Sequence, residues 1–592
     1  MNSLRDQSLL VLGLGDSGLA MCAWALRNGA AQVKVWDSRE NPPQLATLRE
    51  HHPDVAFFSG ELMAAHLLGV DRVLKSPGLS PRDARLSAAY AVGVPVQGEL
   101  DLFAQALAGL KTERRYNPFV LAITGTNGKT TTTSMTAQLC EASGLRVGLA
   151  GNIGPSMLTT LADALDLEPQ DPQLPLTSDS GAMPLEMLPG EAETVAEVEV
   201  EADAEVEALE GAVEPTAEPA AESAIEAPPE SAVSSIDEDR PLPIKPPPPK
   251  GPVFEHLPEV WVLELSSFQL DDVHGFEPTA GAVLNITQDH LDWHGDTAAY
   301  AAAKARIFGT HALMVVNRDD PAVEALVPAP VMVKQGRGKA SKLQGRRVAR
   351  FGLNAPRHPG DFGLLEEGGI AWLVRAREAD ETFKRKPGEE EEILIQRLMP
   401  ADALRVRGRH NAANALAALA LATAAGAPLA PMLHALREYR GEPHRVEHVQ
   451  TIDGIDFYDD SKGTNVGATV AAILGLGADR APSKLVMILG GDGKGQDFSP
   501  LREPVMRFVR AVALIGRDGP AIASVIEGSG VPMQSFDTLQ AATRWAYEQA
   551  EGTDSVLLSP ACASLDMFRN YGHRAEVFVS EVQAIANDGG HA

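Results

Sequence analysis

The chain has 592 residues, 44% of them hydrophobic and 22% charged, a composition typical of soluble globular proteins and a length that predicts several domains. Its net charge is −29 and no basic face is visible, which argues against a nucleic-acid-binding protein. No run reaches the roughly 18 apolar residues of a membrane span. The N-terminus enters an apolar run without a cationic leader, and the 3 cysteines lie far apart, so we expect a cytoplasmic protein without disulfides.

Apolar, strand-like runs alternate with Ala- and Leu-rich helical runs, which predicts parallel α/β layers. In chain order, the clearest predicted strands are SLLVLGLG, AQVKVWD, FVLAITG, EVWVLELS, GAVLNIT, LVMILGG and DSVLLSP. The pattern restarts twice, so we predict three domains, at residues 1–99, 100–441 and 442–592. Residues 331–396 are richer in charge and in β-type residues and predict no clear element.

A low-complexity acidic segment interrupts the second domain. From Asp166 to Lys250 it has 22 acidic and 3 basic residues and no aromatic residue, so it carries −19 of the total of −29 and leaves −10. It cannot bury enough apolar surface to offset its ordering entropy, and we predict a disordered acidic insertion over residues 166–255. A transient helix or strand in its Val-Glu repeats is the alternative. Lengthening a loop from ~10 to ~95 residues costs only about 2 kcal/mol, so a fold tolerates it as a tether or passenger.

A glycine-rich turn, Gly13–Gly18 (GLGDSG), follows the first predicted strand, and Asp37 ends the next strand. Glycines here allow a tight turn and let backbone N–H groups approach a pyrophosphate at a helix N-terminus. Alone, the motif fits a dinucleotide, a nucleotide-sugar or a turn that binds nothing.

The second glycine turn has the features of a phosphate loop. FVLAITGTNGKTTTT places it between a buried strand and a helix, with Ile123 where the usual motif has its first glycine. Backbone N–H groups would cradle phosphates, Lys129 would neutralise the β/γ oxygens, and the Thr130 hydroxyl would face magnesium.

Two further polar residues end predicted strands. Glu264 closes EVWVLE, and His290 follows GAVLNIT. Carboxyl ends of parallel strands line one crevice, so Glu264 would sit near the phosphate loop and its magnesium. A surface glutamate and an ordinary, satisfied histidine are the simpler interpretations of the two residues.

Taken together, the motifs resemble those of the Mur ligase family. The segments that carry the resemblance are GTNGKT, LELSSFQL, LNITQDHLD, GRHNAANALAA, EPHRVE and DSKGTNVGAT. Within the family, GGDGKGQDF and LLSPACASLDMFRNY, behind GLGDSG and VWDSR, are most similar to the members that add D-glutamate. The resemblance implies an α/β fold of three domains: a Rossmann-like N-terminal domain for a UDP-sugar, a central P-loop-type ATPase domain, and a Rossmann-like C-terminal domain.

The resemblance also implies three groups of binding residues. For UDP-N-acetylmuramoyl-L-alanine they are Gly15, Asp16, Ser17, Asp37, Ser38, Arg39, Ser76, Gly78 and Asn152. For ATP they are Gly125, Thr126, Asn127, Gly128, Lys129, Thr130, Thr131, Asn411, Asn414, Arg445 and Asp460. For D-glutamate they are Thr464, Lys494, Ser564, Leu565 and Tyr571. Tyr571 stands where we expect phenylalanine, and Gly463 where we expect alanine.

Lys304 matches the lysine that the family carbamylates, although a lysine on an Ala-rich helix would otherwise be assigned to the solvated surface. A carbamate offers oxygen ligands suited to a hard cation. The catalytic residues implied are Lys129, Glu264, His290 and Lys304, and the last three, with Thr130, are the implied ligands of two Mg²⁺ ions.

The implied reaction is ATP-dependent addition of D-glutamate to UDP-N-acetylmuramoyl-L-alanine through an acyl phosphate, giving ADP and phosphate, in peptidoglycan precursor synthesis. We expect a monomer, and the sequence does not indicate protein partners of the acidic insertion. A relative adding another amino acid, or a folylpolyglutamate synthase, would keep the phosphate loop but differ at the first glycine turn and at SPACASLD. A nicotinamide-dependent dehydrogenase would explain only GLGDSG and Asp37, and a non-catalytic ATP switch would not explain the intact catalytic positions.

Overall fold

The structure is a computed structural model that describes residues 4–169, 253–334, 341–379, 392–406 and 408–588. One compact unit comprises Met1–Pro172 and Phe254–Ala592 and contains every element below. The second unit, Gln173–Val253, lies outside the described residues except for its last one, as does most of the acidic insertion predicted to be disordered over residues 166–255. That prediction was wrong at its start, because Asp166 and Leu167 end a helix. Among the described residues, every helix is too short or too polar to cross a membrane.

The N-terminal sheet has five parallel strands: β1 (Ser8–Leu12), β2 (Gln32–Asp37), β3 (Ala56–Ser59), β4 (Arg72–Lys75) and β5 (Val96–Gln97). Their order is β3-β2-β1-β4-β5. The helices of this region are α1 (Asp16–Arg27), α2 (Leu45–His51), α3 (Ser87–Ala91) and α4 (Glu99–Arg114). The strand order reverses between β1 and β4, and ligands of open α/β sheets bind at the carboxyl ends of strands at such a point.

The central sheet has six parallel strands in the order β13-β10-β9-β6-β8-β7. They are β6 (Phe119–Thr124), β7 (Val147–Gly151), β8 (Val260–Glu264), β9 (Ala280–Val283), β10 (Leu313–Asn317) and β13 (Val348–Phe351). The helices here are α5 (Lys129–Ala142), α6 (Met157–Leu167), α7 (Ser267–Leu270), α8 (Leu291–His294), α9 (Thr297–Ala305), α10 (Pro321–Glu324), α11 (Arg409–Ala424) and α12 (Leu429–Glu438). The Ala- and Leu-rich α11 is buried on nearly every face, as expected for a helix that is apolar all round.

The stretch over 331–396, for which the sequence predicted no clear element, holds antiparallel strands. A two-stranded hairpin joins β11 (Val331–Lys334) to β12 (Ser341–Gln344). A separate three-stranded sheet is built from β14 (Phe362–Glu367), β15 (Ile370–Glu378) and β16 (Ile393–Pro400). A bulge between Leu373 and Val374 shifts the register of β15 against β16.

The C-terminal sheet has the order β17-β18-β22-β19-β20-β21 and is parallel except for the β17–β18 pair. Its strands are β17 (Glu447–Ile452), β18 (Ile455–Asp459), β19 (Leu485–Gly490), β20 (Val509–Ile515), β21 (Met533–Ser535) and β22 (Ser555–Leu558). The helices are α13 (Val466–Asp479), α14 (Arg502–Phe508), α15 (Gly519–Ile526), α16 (Leu539–Gln549) and α17 (Tyr571–Asp588). The predicted fold, three α/β domains with parallel sheets, is confirmed, and each of the seven strands predicted above is present.

A single carboxylate joins the chain on the two sides of the acidic insertion. Helix α6 ends at Leu167, and the next residue, Glu168, is buried. Its carboxylate accepts backbone N–H groups of Glu255 (2.7 Å), His256 (2.7 Å) and Leu257 (2.9 Å). Burial alone would raise the pKa of Glu168, but these three hydrogen bonds outweigh it and lower the pKa. The folded chain therefore closes on itself at the two ends of the acidic insertion.

Candidate active site

A cleft of about 1170 Å³ opens at the carboxyl ends of β1, β2 and β4. Its lining includes every residue predicted to bind the UDP-sugar: Gly15, Asp16, Ser17, Asp37, Ser38, Arg39, Ser76, Gly78 and Asn152. Trp36 and Arg85 also line it, and the Arg85 guanidinium lies 5.4 Å from the centre of the Trp36 ring. Arg85 was not predicted, because it belongs to a short 3₁₀ turn far along the chain from the glycine turn.

Asp37 fixes the first glycine turn. Its carboxylate accepts the Leu14 N–H at 2.8 Å and pairs with the Arg39 guanidinium at 2.8 Å. Burial alone would raise the pKa of Asp37, but the Arg39 side chain and the backbone N–H groups of Leu14 and Arg39 outweigh it and lower the pKa to about 2. Asp37 is thus ionised and already engaged at the turn.

The phosphate loop lies between β6 and α5. Gly128 has a left-handed φ of +79°, and α5 begins at Lys129. The Lys129 ammonium folds back onto the carbonyls of Gly125 (3.1 Å) and Thr126 (2.9 Å). Burial lowers the pKa of Lys129, while Glu264 opposes that shift. Thr131, the other predicted residue of the loop, is buried in the first turn of α5.

Asn285 lies two residues after the end of β9 and holds the loop from this neighbouring strand. Its side-chain oxygen accepts the Asn127 N–H at 2.7 Å, and its amide donates to the Asn127 carbonyl at 3.0 Å. Sequence reasoning missed Asn285, although it stands in the LNIT segment, where a strand end was predicted. Because its side-chain amide both donates and accepts, Asn285 holds the loop backbone by two hydrogen bonds at once.

Glu264 and Lys304 lie on opposite sides of this loop. Glu264 is 2% exposed; its Oε1 accepts the Asn152 amide at 2.6 Å, and its buried Oε2 has no partner among the described residues. Lys304 is 1% exposed and donates to the Gly125 carbonyl at 2.8 Å and to Thr124 Oγ1 at 3.3 Å. Burial, then the nearby Lys129, lowers the pKa of Lys304 well below its usual value.

Residues from later segments complete the loop. Arg445 donates to the Thr130 hydroxyl at 2.6 Å. Asn414 lies against Gly128, because a Cβ placed on that glycine would be 2.6 Å from the Asn414 Oδ1. The Asn414 amide in turn donates to Asn411 at 3.1 Å. The structure therefore brings three of the predicted ATP-site residues from outside the loop onto it or next to it.

Asp460 follows β18 and is also buried. Its carboxylate accepts the Ser559 hydroxyl at 2.6 Å. Burial raises the pKa of Asp460 to about 7, although Ser559 and the charge of Arg445 act in the opposite direction. Asp460 thus interacts electrostatically with Arg445, the residue that donates to Thr130 of the loop.

A second cleft, of about 780 Å³, lies between the His290 segment and the C-terminal segment that carries Lys494. His290 has a left-handed φ of +53° and precedes α8. Burial lowers the pKa of His290; the charge of Asp289 opposes that shift, and the charges of Lys129 and Lys304 add to it. Lys494 also has a positive φ, +51°, and its N–H donates to Asp492 at 3.1 Å.

The other residues predicted for D-glutamate, Thr464, Ser564, Leu565 and Tyr571, are not among those that line this second cleft. Ser564 follows Ala563, which exchanges two backbone hydrogen bonds of 2.9 Å with Asp492, a residue of the segment that carries Lys494. Leu565 is exposed. The Lys462 ammonium, which sequence reasoning did not single out, lies 3.8 Å from the centre of the Tyr571 ring.

Comparison with known proteins agrees with this geometry. Residues 7–98 match the N-terminal domain of MurD-like Mur ligases, residues 123–212 and 254–422 the Mur ligase middle domain, and residues 444–562 the glutamate ligase domain of Mur ligases. The break in the middle-domain match falls inside the acidic insertion.

Three bacterial relatives, each called UDP-N-acetylmuramoylalanine--D-glutamate ligase, match over almost their whole length. The protein of Albidiferax ferrireducens is 48% identical over 100% of this chain and 99% of its own. That of Polaromonas sp. strain JS666 is 43% identical over 100% of both chains, and that of Burkholderia mallei strain SAVP1 is 47% identical over 98% of both. The chain therefore belongs to the Mur ligase family, whose members use ATP and Mg²⁺.

Proposed function

We propose that the chain joins D-glutamate to UDP-N-acetylmuramoyl-L-alanine at the expense of ATP, the reaction named for its three relatives. One observation carries the proposal: Asn152 lines the first cleft and also donates to Glu264 beside the phosphate loop. The acyl end of a nucleotide-sugar in that cleft would thus reach the loop. A dehydrogenase would need no such connection, and a bare ATP switch would need no cleft.

The residues around the loop fit the magnesium that the family uses. The buried, unpartnered Oε2 of Glu264 is an oxygen that a hard cation would satisfy, since an ionised carboxylate costs free energy when buried alone. We propose Glu264, Thr130, His290 and a carbamylated Lys304 as the ligands, with two ions bound. Bound Mg²⁺ would offset the negative charge of the ATP phosphates and the substrate carboxylate.

We further propose that Lys304 is carbamylated. A neutral amine is the form that attacks CO₂: the nitrogen bonds to carbon, one proton leaves, and a carbamate anion results. The buried Lys304 amine, next to Lys129, has a pKa well below its usual value, which favours that neutral form. In intact protein equilibrated with ¹³C-bicarbonate, a carbamate carbon resonance that is absent from Lys304→Ala would support this; fully active enzyme without that resonance would refute it.

In the proposed reaction, the alanyl carboxylate attacks the γ-phosphorus of ATP, giving an acyl phosphate and ADP. The D-glutamate amine then attacks the acyl carbon, loses a proton, and the tetrahedral intermediate expels phosphate to form the amide. Lys129 and Arg445 would stabilise the charge on the transferred phosphate, and Lys494 would pair with a carboxylate of D-glutamate. Most of the acceleration would come from positioning and from cations between two anionic reactants.

Arg445 and Lys494 both belong to the predicted C-terminal domain, so we propose that closure of this domain completes the site. A chain ending after Gly441 should therefore lack ligase activity, and full activity of that chain would refute the closure step. A cytoplasmic location and a monomeric state stay predictions.

The test is phosphate release from ATP and Mg²⁺ with UDP-N-acetylmuramoyl-L-alanine, offered D-glutamate, L-glutamate, L-lysine or no amino acid, with product mass as the second readout. We expect release that needs both the UDP-sugar and D-glutamate. Lys129→Met should reduce it by roughly 10²- to 10³-fold, because a preorganised cation at the transferred phosphate is lost. Lys111→Met, at an exposed position of α4, is the matched control and should leave the rate unchanged.

Each other outcome has a separate meaning. Release with L-lysine or L-glutamate in place of D-glutamate would keep the ligase and overturn the amino-acid assignment. No release with any of the amino acids, in a folded protein that binds ADP, would overturn the proposed function.

A further inference from the structure

A buried ionic junction links the first cleft to the His290 segment. Asp271, 6% exposed, follows α7. Its carboxylate accepts Arg82 at 2.7 Å and the Trp293 indole N–H at 3.0 Å. The Arg82 guanidinium also donates to the Trp293 carbonyl, at 3.1 Å. Arg82 lies in the loop that follows the cleft residues Ser76 and Gly78, so three distant segments meet at one carboxylate.

Trp293 and His294 form the last turn of the short helix α8, which begins after His290. The His290 carbonyl accepts the N–H groups of Trp293 (3.1 Å) and His294 (3.0 Å). The His294 imidazole contacts the Ser267 hydroxyl at 3.0 Å, which ties α8 to α7 a second time. A helix of four residues is not stable by itself, so these tertiary contacts determine where it lies.

The Phe268 ring connects the junction to the His290 imidazole. Its centre is 4.5 Å from that of Trp293 and 4.6 Å from that of His290. His290 has a left-handed backbone, which costs roughly 1–2 kcal/mol for a residue with a side chain and persists only where the surroundings enforce it. The His290 side chain is 40% exposed, and the contacts that hold this residue are those with α8, the Phe268 ring and the neighbouring Asp289, whose carboxylate accepts the His290 N–H at 3.0 Å.

We propose that Asp271 is a positioning residue of the ligase reaction: with Arg82 and Trp293, it holds α8 and Phe268 so that the His290 imidazole keeps its place in the lining of the second cleft. This inference rests on the proposed function for the reaction, but the placement of His290 can be measured without it. Because Arg82 comes from the loop at the first cleft, the same junction ties the nucleotide-sugar side of the molecule to the phosphate loop.

The test uses Asp271→Asn, Trp293→Phe and Arg82→Lys in the full chain. Trp293→Phe keeps the aromatic contact with Phe268 and removes only the indole donor, so it is the mildest break. In metal-free protein with labelled histidine, we expect the His290 imidazole resonance, assigned with His290→Gln, to shift in Asp271→Asn and Trp293→Phe. We expect kcat to fall roughly 10- to 100-fold, as for a misplaced catalytic group, with KM for ATP and UDP-sugar changed by less than about twofold. Arg82→Lys keeps a cation beside Asp271, so its kcat should fall less than that of Asp271→Asn.

Glu277→Gln is the matched control. The Glu277 carboxylate also joins distant segments, accepting the N–H groups of Thr310 (2.9 Å) and His311 (3.2 Å), but away from His290. It should lower thermal stability and leave kcat and the His290 resonance unchanged. An unmoved His290 resonance in both Asp271→Asn and Trp293→Phe would refute the proposal, as would an equal fall of kcat in Glu277→Gln. If the wild-type protein showed no ligase activity but the His290 resonance still shifted in the variants, the proposed function would be overturned and the positioning of His290 would stay supported.

Discussion

The two glycine turns of the molecule have the same local design but different support. Both follow a buried strand and precede a helix, β1 to α1 and β6 to α5. The first is held by its own sheet: the Gly13 N–H donates to the Trp36 carbonyl at 2.7 Å, and the Gly13 carbonyl accepts the Ser76 hydroxyl at 2.9 Å. The second is held by Asn285 and Arg445, which are 158 and 315 residues from their partners in the loop.

The difference teaches which turn can form alone. The contacts of Gly13 and Leu14 with Trp36, Asp37 and Ser76 all come from the N-terminal sheet or the residue that follows β4, so we expect this region to form the turn without the C-terminal part of the chain. The phosphate loop reaches its final state only when α9, α11 and the segment around Arg445 are in place. A change at the second turn should therefore affect the assembled site, whereas a change at the first should affect mainly its own domain.

The largest expected effect is that of Gly128→Ala. The new Cβ would lie 2.6 Å from the Asn414 Oδ1, in a backbone with φ of +79°. We expect ADP affinity, measured by calorimetry, and ligase rate to fall roughly 100-fold, because both the loop and Asn414 must move. Gly144→Ala is the control: it has the same strain, φ of +82°, with no atom within 4 Å. Equal loss of ADP affinity in both variants would mean that strain alone, and not Asn414, controls the loop.

Arg445→Ala tests the long-range support directly. It removes the donor to the Thr130 hydroxyl and should weaken ADP binding roughly 10- to 100-fold, as expected for a charged hydrogen bond worth about 1.5–3 kcal/mol. The unfolding of the N-terminal region should be unaffected. Arg405→Ala, whose exposed pair with Glu438 is also near the end of the central domain, should leave ADP binding unchanged. Unaltered ADP binding in Arg445→Ala would remove this residue from the support of the loop.

Gly18→Ala tests the self-sufficiency of the first turn. Its Cβ would lie 1.9 Å from the Gly13 carbonyl oxygen, a backbone atom that cannot move freely. We expect the free energy of unfolding to fall by about 1–3 kcal/mol, with ADP affinity unchanged. Gly15→Ala, with no atom within 4 Å, should keep stability but weaken UDP-sugar binding if a pyrophosphate approaches that backbone. Loss of ADP binding in Gly18→Ala would show that the two turns are not independent.

The smallest expected effect is the pH dependence due to Asp37. Its pKa in the folded chain is about 2, below the ordinary 3.8, so its ion pair stabilises the folded state above about pH 4 and loses that contribution as the pH falls towards 2. Asp37→Asn should lower the free energy of unfolding by about 1–3 kcal/mol at pH 6 and by less at pH 3, measured in urea. Asp16→Asn removes an exposed carboxylate that accepts the Gln44 amide, and it should change the free energy of unfolding by less than about 0.5 kcal/mol. A constant difference from pH 6 to pH 3 would contradict the assigned pKa.

Sequence was informative wherever the chemistry is contiguous. The residues of Gly13–Gly18 and Gly125–Thr131 are neighbours in the chain, and a strand before and a helix after them define their geometry. Glu264 could be predicted near the phosphate loop because the carboxyl ends of adjacent parallel strands share one edge, whereas the role of His290 came from the family resemblance. The three-domain α/β fold followed from the same alternation of strands and helices.

The rest depends on pairs that no local pattern encodes. Arg82 and Asp271 are 189 residues apart, and neither stands in a motif. Asn285 and Lys462 stand within segments that the family resemblance covers, yet their roles follow only from which neighbour each side chain meets. The antiparallel strands β11, β12 and β14 to β16 were not predicted, because charged residues interrupt their apolar runs and leave no clear period.

The Glu168 hydrogen bonds have a practical consequence for engineering. Because this carboxylate binds the backbone of Glu255, His256 and Leu257, the folded chain leaves and returns at neighbouring points. That is the geometry required of a graft site: a reporter domain whose own ends lie close together could replace residues 170–252 without pulling α6 away from β8. The acidic insertion is therefore a suitable place at which to insert another folded domain.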